Sequence, residues 1–160
     1  MRLRLSSIVP VHCGRCFRKI FSVLKPGGLF LNHGIGFGTV GFEGASGSFI
    51  SDYVFPDSEL LYIGEMTCQA EREGWDIRDI ENLRLPYART LREWITRLEA
   101  RRDEALRFVT EPSYRTWRLY MGGCAHNFQT GRLAIYQSLL AKLDSDGNSR
   151  APLVRSVWYR

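Results

Sequence analysis

The stretch Leu-Lys-Pro-Gly-Gly-Leu-Phe-Leu-Asn-His-Gly-Ile-Gly, residues 24–36, decides how the rest of this chain is organised. Pro26 lacks a backbone N–H, and the two glycines that follow reach positive φ, so a preceding helix has to end there. Leu29-Phe30-Leu31 then predicts a short strand that is apolar on both faces, as in an open parallel sheet. Ligands bind at the carboxyl ends of such strands. His33, where we expect this strand to end, is therefore the first candidate functional residue.

The composition is that of a globular protein with a mild excess of positive charge. The chain has 160 residues, of which 44% are hydrophobic and 24% charged, with a formal net charge of +5. This charge permits attraction to anionic membranes or to nucleic acid but establishes neither. No apolar run is long enough to span a bilayer, the first residues make a poor signal peptide, and four cysteines do not suggest a disulfide scaffold. We therefore expect a cytoplasmic protein.

Apolar periodicity predicts helices and strands in alternation, an α/β pattern in which helices cover a thin sheet with an open edge. A glycine-rich loop is expected over residues 34–47. Residues 1–143 then form a partial domain, and residues 144–160 form a flexible tail rich in polar residues, glycine and proline. We predict helices over residues 13–24, 60–73, 87–110 and 113–128, and further strands over residues 75–83 and 133–143.

Two short motifs suggest other chemistry. Residues 36–41 match the dinucleotide pattern G-x-G-x-x-G, but the glycine-rich residues that follow would not form the helix this site needs, so a flexible loop is the preferred interpretation. Cys13 and Cys16 form a C-x-x-C motif, which can tune a thiol to low pKa. A zinc site would need Cys124 and His126 at a non-standard spacing. Two small residues on a helix remain the simpler alternative for this motif.

The last two predicted helices each leave two interpretations open. The helix over residues 87–110 interleaves six arginines with acidic residues along an apolar side. It is either a solvated amphipathic helix or a surface that contacts anionic lipid headgroups. The helix over residues 113–128 is rich in aromatic and small residues, which either pack in the core or leave a groove for an apolar ligand.

Several motifs resemble the cyclopropane-fatty-acyl-phospholipid synthase family, which includes the mycolic acid cyclopropane synthases. They follow the family order from about Phe17 to Lys142, and in combination they are specific. They are Phe17-Arg18-Lys19-Ile20, Leu24-Lys25-Pro26-Gly27-Gly28, Asn32-His33-Gly34-Ile35, Tyr53-Val54-Phe55-Pro56-Asp57-Ser58-Glu59-Leu60, Tyr87-Ala88-Arg89-Thr90-Leu91, Trp94, Arg97-Leu98 and Gly123-Cys124-Ala125, with Phe128, Gly131 and Gln137.

This resemblance implies the C-terminal portion of a Rossmann-like methyltransferase fold, with a helical insertion before the last strand. Enzymes of this family transfer a methyl group from S-adenosylmethionine to the cis double bond of unsaturated phospholipid acyl chains. The carbocation then loses a proton to bound bicarbonate and a ring closes. By resemblance, His33, the backbone at Ile35 and the Tyr87 hydroxyl would hold the bicarbonate. The helix over residues 113–128 would line the acyl channel, with candidate residues Tyr120, Gly123, Cys124 and Phe128.

The sequence also departs from the family pattern. The glycine-rich cofactor motif lies upstream in the family, and its bicarbonate-binding glutamate would fall near Ser6 or Ser7, where no acid is present. The family's catalytic-site cysteine is likewise unmatched. We therefore expect a truncated synthase without its cofactor-binding half, without a metal or nucleic acid, in peripheral contact with anionic membrane and compatible with a homo-oligomer. The alternatives are a non-catalytic lipid-binding or interaction fragment and a C-x-x-C redox protein.

Overall fold

The computed structural model describes residues 10–40, 53–55 and 60–159, which form an α/β arrangement. The elements in chain order are α1 (Pro10–Val23), β1 (Leu29–Phe37), α2 (Ile63–Arg72), β2 (Asp76–Asn82), α3 (Arg84–Ala100), α4 (Arg102–Ala105), α5 (Glu111–Thr130), β3 (Leu133–Ala141) and a final 3₁₀ helix (Arg155–Tyr159). The predicted helical insertion before the last strand is confirmed as α3–α5. The predicted helix over residues 87–110 is interrupted at Arg101, which separates α3 from α4.

The described strands form a three-stranded sheet in the order β1-β3-β2. Both outer strands run antiparallel to β3, with Ile35 opposite Ile135 and Asp76 opposite Ala141. The expectation of a short, doubly buried strand in a parallel sheet is therefore wrong in three respects, of which the antiparallel pairing is the first. β1 continues for nine residues to Phe37, which places His33 in the middle of the strand rather than at its end. One face of β1 is also partly open, since Leu31 is 55% exposed.

Glycines at the end of β1 allow the strand to pass close to other backbone segments. A side chain at Gly36 would collide with the Leu61 carbonyl, and one at Gly38 would collide with the Gly131 carbonyl. The Phe37 N–H donates to the Leu61 carbonyl at 3.0 Å, so this close approach is part of the fold. Residues 34–37 are thus strand and not loop. Residues 38–40 leave the strand and make a turn, and the rest of the predicted loop, residues 41–47, lies outside the described residues.

One face of the sheet packs against α1 and α2 around Trp75, which is 3% exposed. The Trp75 ring lies 5.2 Å from that of Phe21 and 5.5 Å from that of Phe30, and its Nε1–H donates to the Phe17 carbonyl. Lys142, after β3, donates from Nζ to two carbonyls at the end of α1. These contacts fix α1 against the sheet and set the position at which β1 begins.

The other face is covered at one end by the pair α3 and α5. Ile35, Leu133 and Ile135 pack there against buried residues of both helices. The Thr110 hydroxyl accepts from the Ser113 N–H at the start of α5, and Gly131 ends this helix with φ 79°. The predicted end of this helix at Gly131 is confirmed. The insertion therefore forms a lid of two helices over the end of β1.

The segment after β3 crosses the part of this face that α3 and α5 leave open. Arg155 lies 3.4 Å from an Asp79 carboxylate oxygen and 3.7 Å from a Glu81 carboxylate oxygen. The flexibility of residues 144–160 stays a prediction. Within the described part of the chain, no helix is long and apolar enough to cross a membrane.

Candidate active site

The site is centred on four side chains of the helical lid, Tyr87, Tyr120, Cys124 and Phe128, which we call the aromatic–thiol cluster. Residues 120, 124 and 128 follow one another at the i, i+4 spacing that places side chains on one face of a helix. Tyr87 comes from the first turn of α3 and packs against this face. Cys124 is 3% exposed and Phe128 is fully buried, while the two tyrosines are half-buried. The sheet contributes Ile35 to the same packing.

Aromatic rings extend this cluster in two directions. The Tyr87 ring contacts Phe128 edge-to-face at 5.2 Å and Trp94 at 6.1 Å. The Tyr120 ring contacts Phe55 and Trp117, each at 5.6 Å. Sequence reasoning did not assign Phe55, Trp94 and Trp117 to the site. Trp117 lies three residues from Tyr120, and Trp94 lies seven residues from Tyr87. These spacings place each pair on one helix face and could have indicated the two tryptophans.

The three titratable groups of the cluster stay neutral at ordinary pH. Burial, and then the nearby Cys124 sulfur, raise the pKa of the Tyr87 hydroxyl. Burial is also the main cause that raises the pKa of Tyr120, followed by Cys124. Burial raises the pKa of the Cys124 thiol, which its hydrogen bond with the Tyr120 hydroxyl partly offsets. The cluster therefore offers hydrogen-bond donors but no strong base.

The backbone of Ile35 faces the edge of the sheet rather than a neighbouring strand. The Leu83 N–H donates to the Ile135 carbonyl at 2.9 Å, so the polar groups of Ile135 point towards β2. Because the backbone groups of Ile135 point towards β2, Ile135 cannot exchange hydrogen bonds with the residue opposite it on β1. In an antiparallel ladder these two residues form a non-hydrogen-bonded pair. Ile35 is the residue opposite Ile135, and its N–H and C=O point away from β3. Among the described residues, the Ile35 N–H has no hydrogen-bond partner and can serve a ligand.

Two of the predicted site residues lie outside the cluster. His33 is exposed on β1, opposite Gln137, and its side chain shares the sheet face of Ile35 two positions away. Gly123 is exposed, and a side chain built there would meet nothing within 4 Å. The structure thus brings together Ile35, Tyr87, Tyr120, Cys124 and Phe128, with His33 beside them and Gly123 on the outer side of α5.

The other sequence motifs show no reactive site in the part of the chain that the structure describes. Burial, and then the neighbouring Cys16, raise the pKa of the Cys13 thiol to about 11, the opposite of what a reactive thiol needs. Over the described residues, no group of three His, Cys, Asp or Glu side chains could hold a metal ion. In the described part of the G-x-G-x-x-G motif, Gly36 lies in β1 against the Leu61 carbonyl and Gly38 lies against the Gly131 carbonyl, so these two glycines serve close backbone packing.

The fold is that of S-adenosylmethionine-dependent methyltransferases. A solved cyclopropane synthase from Mycobacterium tuberculosis, MmaA2, superposes with a TM-score of 0.75 at 26% sequence identity, covering 83% of this chain and 50% of that chain. The cyclopropane synthase CmaA1, solved with S-adenosylhomocysteine and CTAB, shares the fold with a TM-score of 0.72 at 23% identity, over 81% of this chain and 50% of that one.

The chain belongs to the mycolic acid cyclopropane synthetase family, whose model matches residues 11–138. A probable fatty acid methyltransferase from Pseudomonas putida is 37% identical over 146 residues, which are 89% of this chain and 37% of that protein. The probable fatty acid methyltransferase Rv3720 from M. tuberculosis is 36% identical over 86% of this chain and 32% of its own length. This chain therefore spans about a third of these two relatives and half of the solved synthases.

Proposed function

We propose that this chain provides the acyl-binding side of an enzyme that transfers a methyl group from S-adenosylmethionine to the cis double bond of an unsaturated phospholipid acyl chain. The similarity to proteins named fatty acid methyltransferases supports a lipid substrate. The observation that carries the proposal is the neutral aromatic–thiol cluster beside the unpaired N–H of Ile35. The aromatic–thiol cluster is an apolar packing arrangement, so the proposal concerns the acyl side.

The cluster suits a reaction in which positive charge develops on an acyl chain. Addition of a methyl group to a double bond leaves a carbocation, which water would capture if it could reach it. The side chains of Phe128 and Cys124 are buried, so this part of the cluster is shielded from water. The faces of nearby aromatic rings such as Tyr87 and Tyr120 attract a cation, by roughly 0.5–2 kcal/mol for each ring.

The proton that this carbocation must lose requires a base that the cluster does not contain. Tyr87, Tyr120 and Cys124 are all protonated at neutral pH because burial raises each pKa. Bicarbonate suits this site as an anion. Within the described residues neither the Ile35 N–H nor the Tyr87 hydroxyl has a hydrogen-bond partner, so both can donate to it, and His33 lies on the same sheet face as Ile35. Bicarbonate bound there would accept the proton.

The test uses the native protein, purified from its own cells at its natural length. It is incubated with unsaturated phosphatidylglycerol in detergent and with methyl-labelled S-adenosylmethionine, and the acyl chains are analysed by mass spectrometry. We expect labelled product that depends on bicarbonate. Tyr87→Phe removes one donor to the anion, which should raise the bicarbonate concentration for half-maximal rate roughly tenfold or more. Saturating bicarbonate should restore most of the rate.

Tyr136→Phe is the matched control, because Tyr136 is a half-buried tyrosine that faces the other side of the sheet. Equal effects of the two substitutions, or a rate independent of bicarbonate, would contradict the bicarbonate assignment. The absence of any labelled lipid product from the native protein would contradict methyl transfer.

The second candidate is a non-catalytic lipid-binding module. It is favoured by the packing of the aromatic–thiol cluster, which described residues of β1, α3 and α5 build together. This function predicts saturable binding of a cis-unsaturated acyl chain and no methylated product. A change in Trp117 fluorescence would report the binding. Product formation by the native protein would exclude it.

A further inference from the structure

A groove with an exposed aromatic rim lies on the outside of the helical lid, where α3 meets α4. Its volume is about 380 Å³, and its apolar lining includes Trp94, Leu98, Ala105 and Phe108. Phe108 is 81% exposed and Trp94 is 45% exposed, although both are large apolar side chains. We call this feature, together with the turn that carries Arg107 and Phe108, the lid groove. Exposed aromatic side chains clustered in this way mark interaction surfaces.

The charges around the lid groove are mostly positive. Arg97 and Arg101 line it, and Arg107 precedes Phe108 in the adjoining turn. Within the described residues, none of these three arginines forms an ion pair, and Glu104 is the acidic residue of the lining. The arginines further along the lid differ in this respect, because Arg102 and Arg115 pair with Glu111 and Arg118 pairs with Glu99.

We propose that the lid groove docks on the surface of an anionic phospholipid bilayer, with Phe108 and Trp94 in the headgroup region and the three arginines on lipid phosphates. Apolar side chains flanked by basic residues are typical of segments that lie in the membrane interface. The surface is also continuous with the candidate site, because the Trp94 ring contacts that of Tyr87. A lipid held at the groove therefore lies beside the aromatic–thiol cluster. The proposed function supports the choice of a lipid as partner.

The test measures flotation of the protein with vesicles of phosphatidylglycerol and phosphatidylcholine, compared with vesicles of phosphatidylcholine alone. We expect binding to the anionic vesicles that weakens with salt. Phe108→Ser should weaken it roughly tenfold. The double substitution Arg101→Gln with Arg107→Gln should weaken it roughly 25-fold, from about 1 kcal/mol for each basic residue near the surface. Lipids brominated on the acyl chains should quench the tryptophan fluorescence of the wild-type protein more than that of a Trp94→Phe variant.

Two matched controls keep the test specific to this surface. Leu153 is a 95% exposed apolar residue in the C-terminal segment, and Leu153→Ser should leave binding unchanged. Arg72 and Arg132 are exposed arginines away from the groove, and replacing both by glutamine removes the same charge as the groove variant. Equal losses in the control and groove variants would overturn the proposal.

Other occupants of the groove would give different results. Equal affinity for duplex DNA at the same salt would show a general polyanion surface, and a smaller assembly for Phe108→Ser in light scattering would show a subunit interface. Either outcome would overturn the proposal. Product formation from detergent-dispersed lipid does not involve docking, so failure of vesicle binding with retained activity would reject the lid groove and leave the proposed function standing.

Discussion

Arg84 connects the two helices that form the aromatic–thiol cluster, and its replacement by methionine is the sharpest test of how the cluster is held. One guanidinium nitrogen, Nη1, donates to the Phe128 carbonyl at 2.6 Å and to the Gln129 carbonyl at 3.0 Å. These carbonyls lie in the last turn of α5, where intrahelical donors are lacking and a positive charge is favourable. Arg84→Met keeps most of the apolar stem and removes both hydrogen bonds and the charge.

The expected cost follows from the exposure of the two carbonyls. The bond to Phe128 is partly buried, and leaving this carbonyl without its charged donor should cost about 1.5–2 kcal/mol. The bond to Gln129 is exposed, so water can replace most of it. Charge at the helix terminus adds about 0.3–1 kcal/mol. We therefore expect the free energy of unfolding to fall by about 2–3 kcal/mol, measured as a lower midpoint in urea with an unchanged m-value.

Arg92→Met is the matched control. Arg92 also lies on α3 and also reaches Gln129, but through an exposed side-chain contact of 3.3 Å. Its replacement should change the free energy of unfolding by no more than about 0.5 kcal/mol. If the two substitutions cost the same, the carbonyls at the end of α5 do not depend on Arg84 and the reasoning is refuted. Arg84→Lys should recover part of the loss, since a lysine can reach one carbonyl.

Two further predictions concern stability. The pKa of the Cys13 thiol rises from 9.0 to about 11 in the folded chain. The thiol's contribution to the free energy of unfolding is therefore complete below pH 9 and is lost as the pH rises through 11. The full loss is about 3 kcal/mol. The urea midpoint of the wild-type protein should therefore decline at alkaline pH, and Cys13→Ala should remove this part of the decline. Identical profiles of midpoint against pH for the wild type and the variant would count against the prediction. Gly131 ends α5 at φ 79°, so Gly131→Ala should lower the free energy of unfolding by about 1–2 kcal/mol. Gly64 lies on an open helix face, so the control substitution Gly64→Ala should not lower it. Thermal unfolding of the two variants measures the difference.

The sequence was sufficient for most of the helices but not for the sheet. Proline, glycine and apolar spacing locate the ends of α2 and α5 because these signals act within one turn of the chain. The length of β1 was missed because Gly34 and Gly36 favour a loop locally. The backbone contact with Leu61 that requires a glycine at residue 36 comes from 25 positions away. The antiparallel pairing with β3 is likewise a long-range choice that no local pattern encodes.

The candidate site was predicted in part, and for reasons that differ between its residues. Tyr120, Cys124 and Phe128 share a helical face, so their proximity follows from spacing alone. Ile35 and Tyr87 were named by resemblance, because nothing in the local sequence brings a strand and a helix more than 50 residues apart into contact. The orientation of the Ile35 N–H depends on the register of β1 against β3, which only the structure supplies. The exposed position of His33 in mid-strand was not anticipated.

The central place of β3 has a consequence for how the chain acquires its structure during synthesis. β1 and β2 each pair with β3 and are separated by it, so neither can form this pairing until residues 133–141 have been made. A ribosome that has reached Thr130 has produced the five described helices and both strands that pair with β3. The edges of these strands that face β3 are still unpaired and invite pairing with other chains. The described part of the sheet therefore forms in a single late step, and a stop codon anywhere before Leu133 would leave β1 and β2 without the strand that joins them.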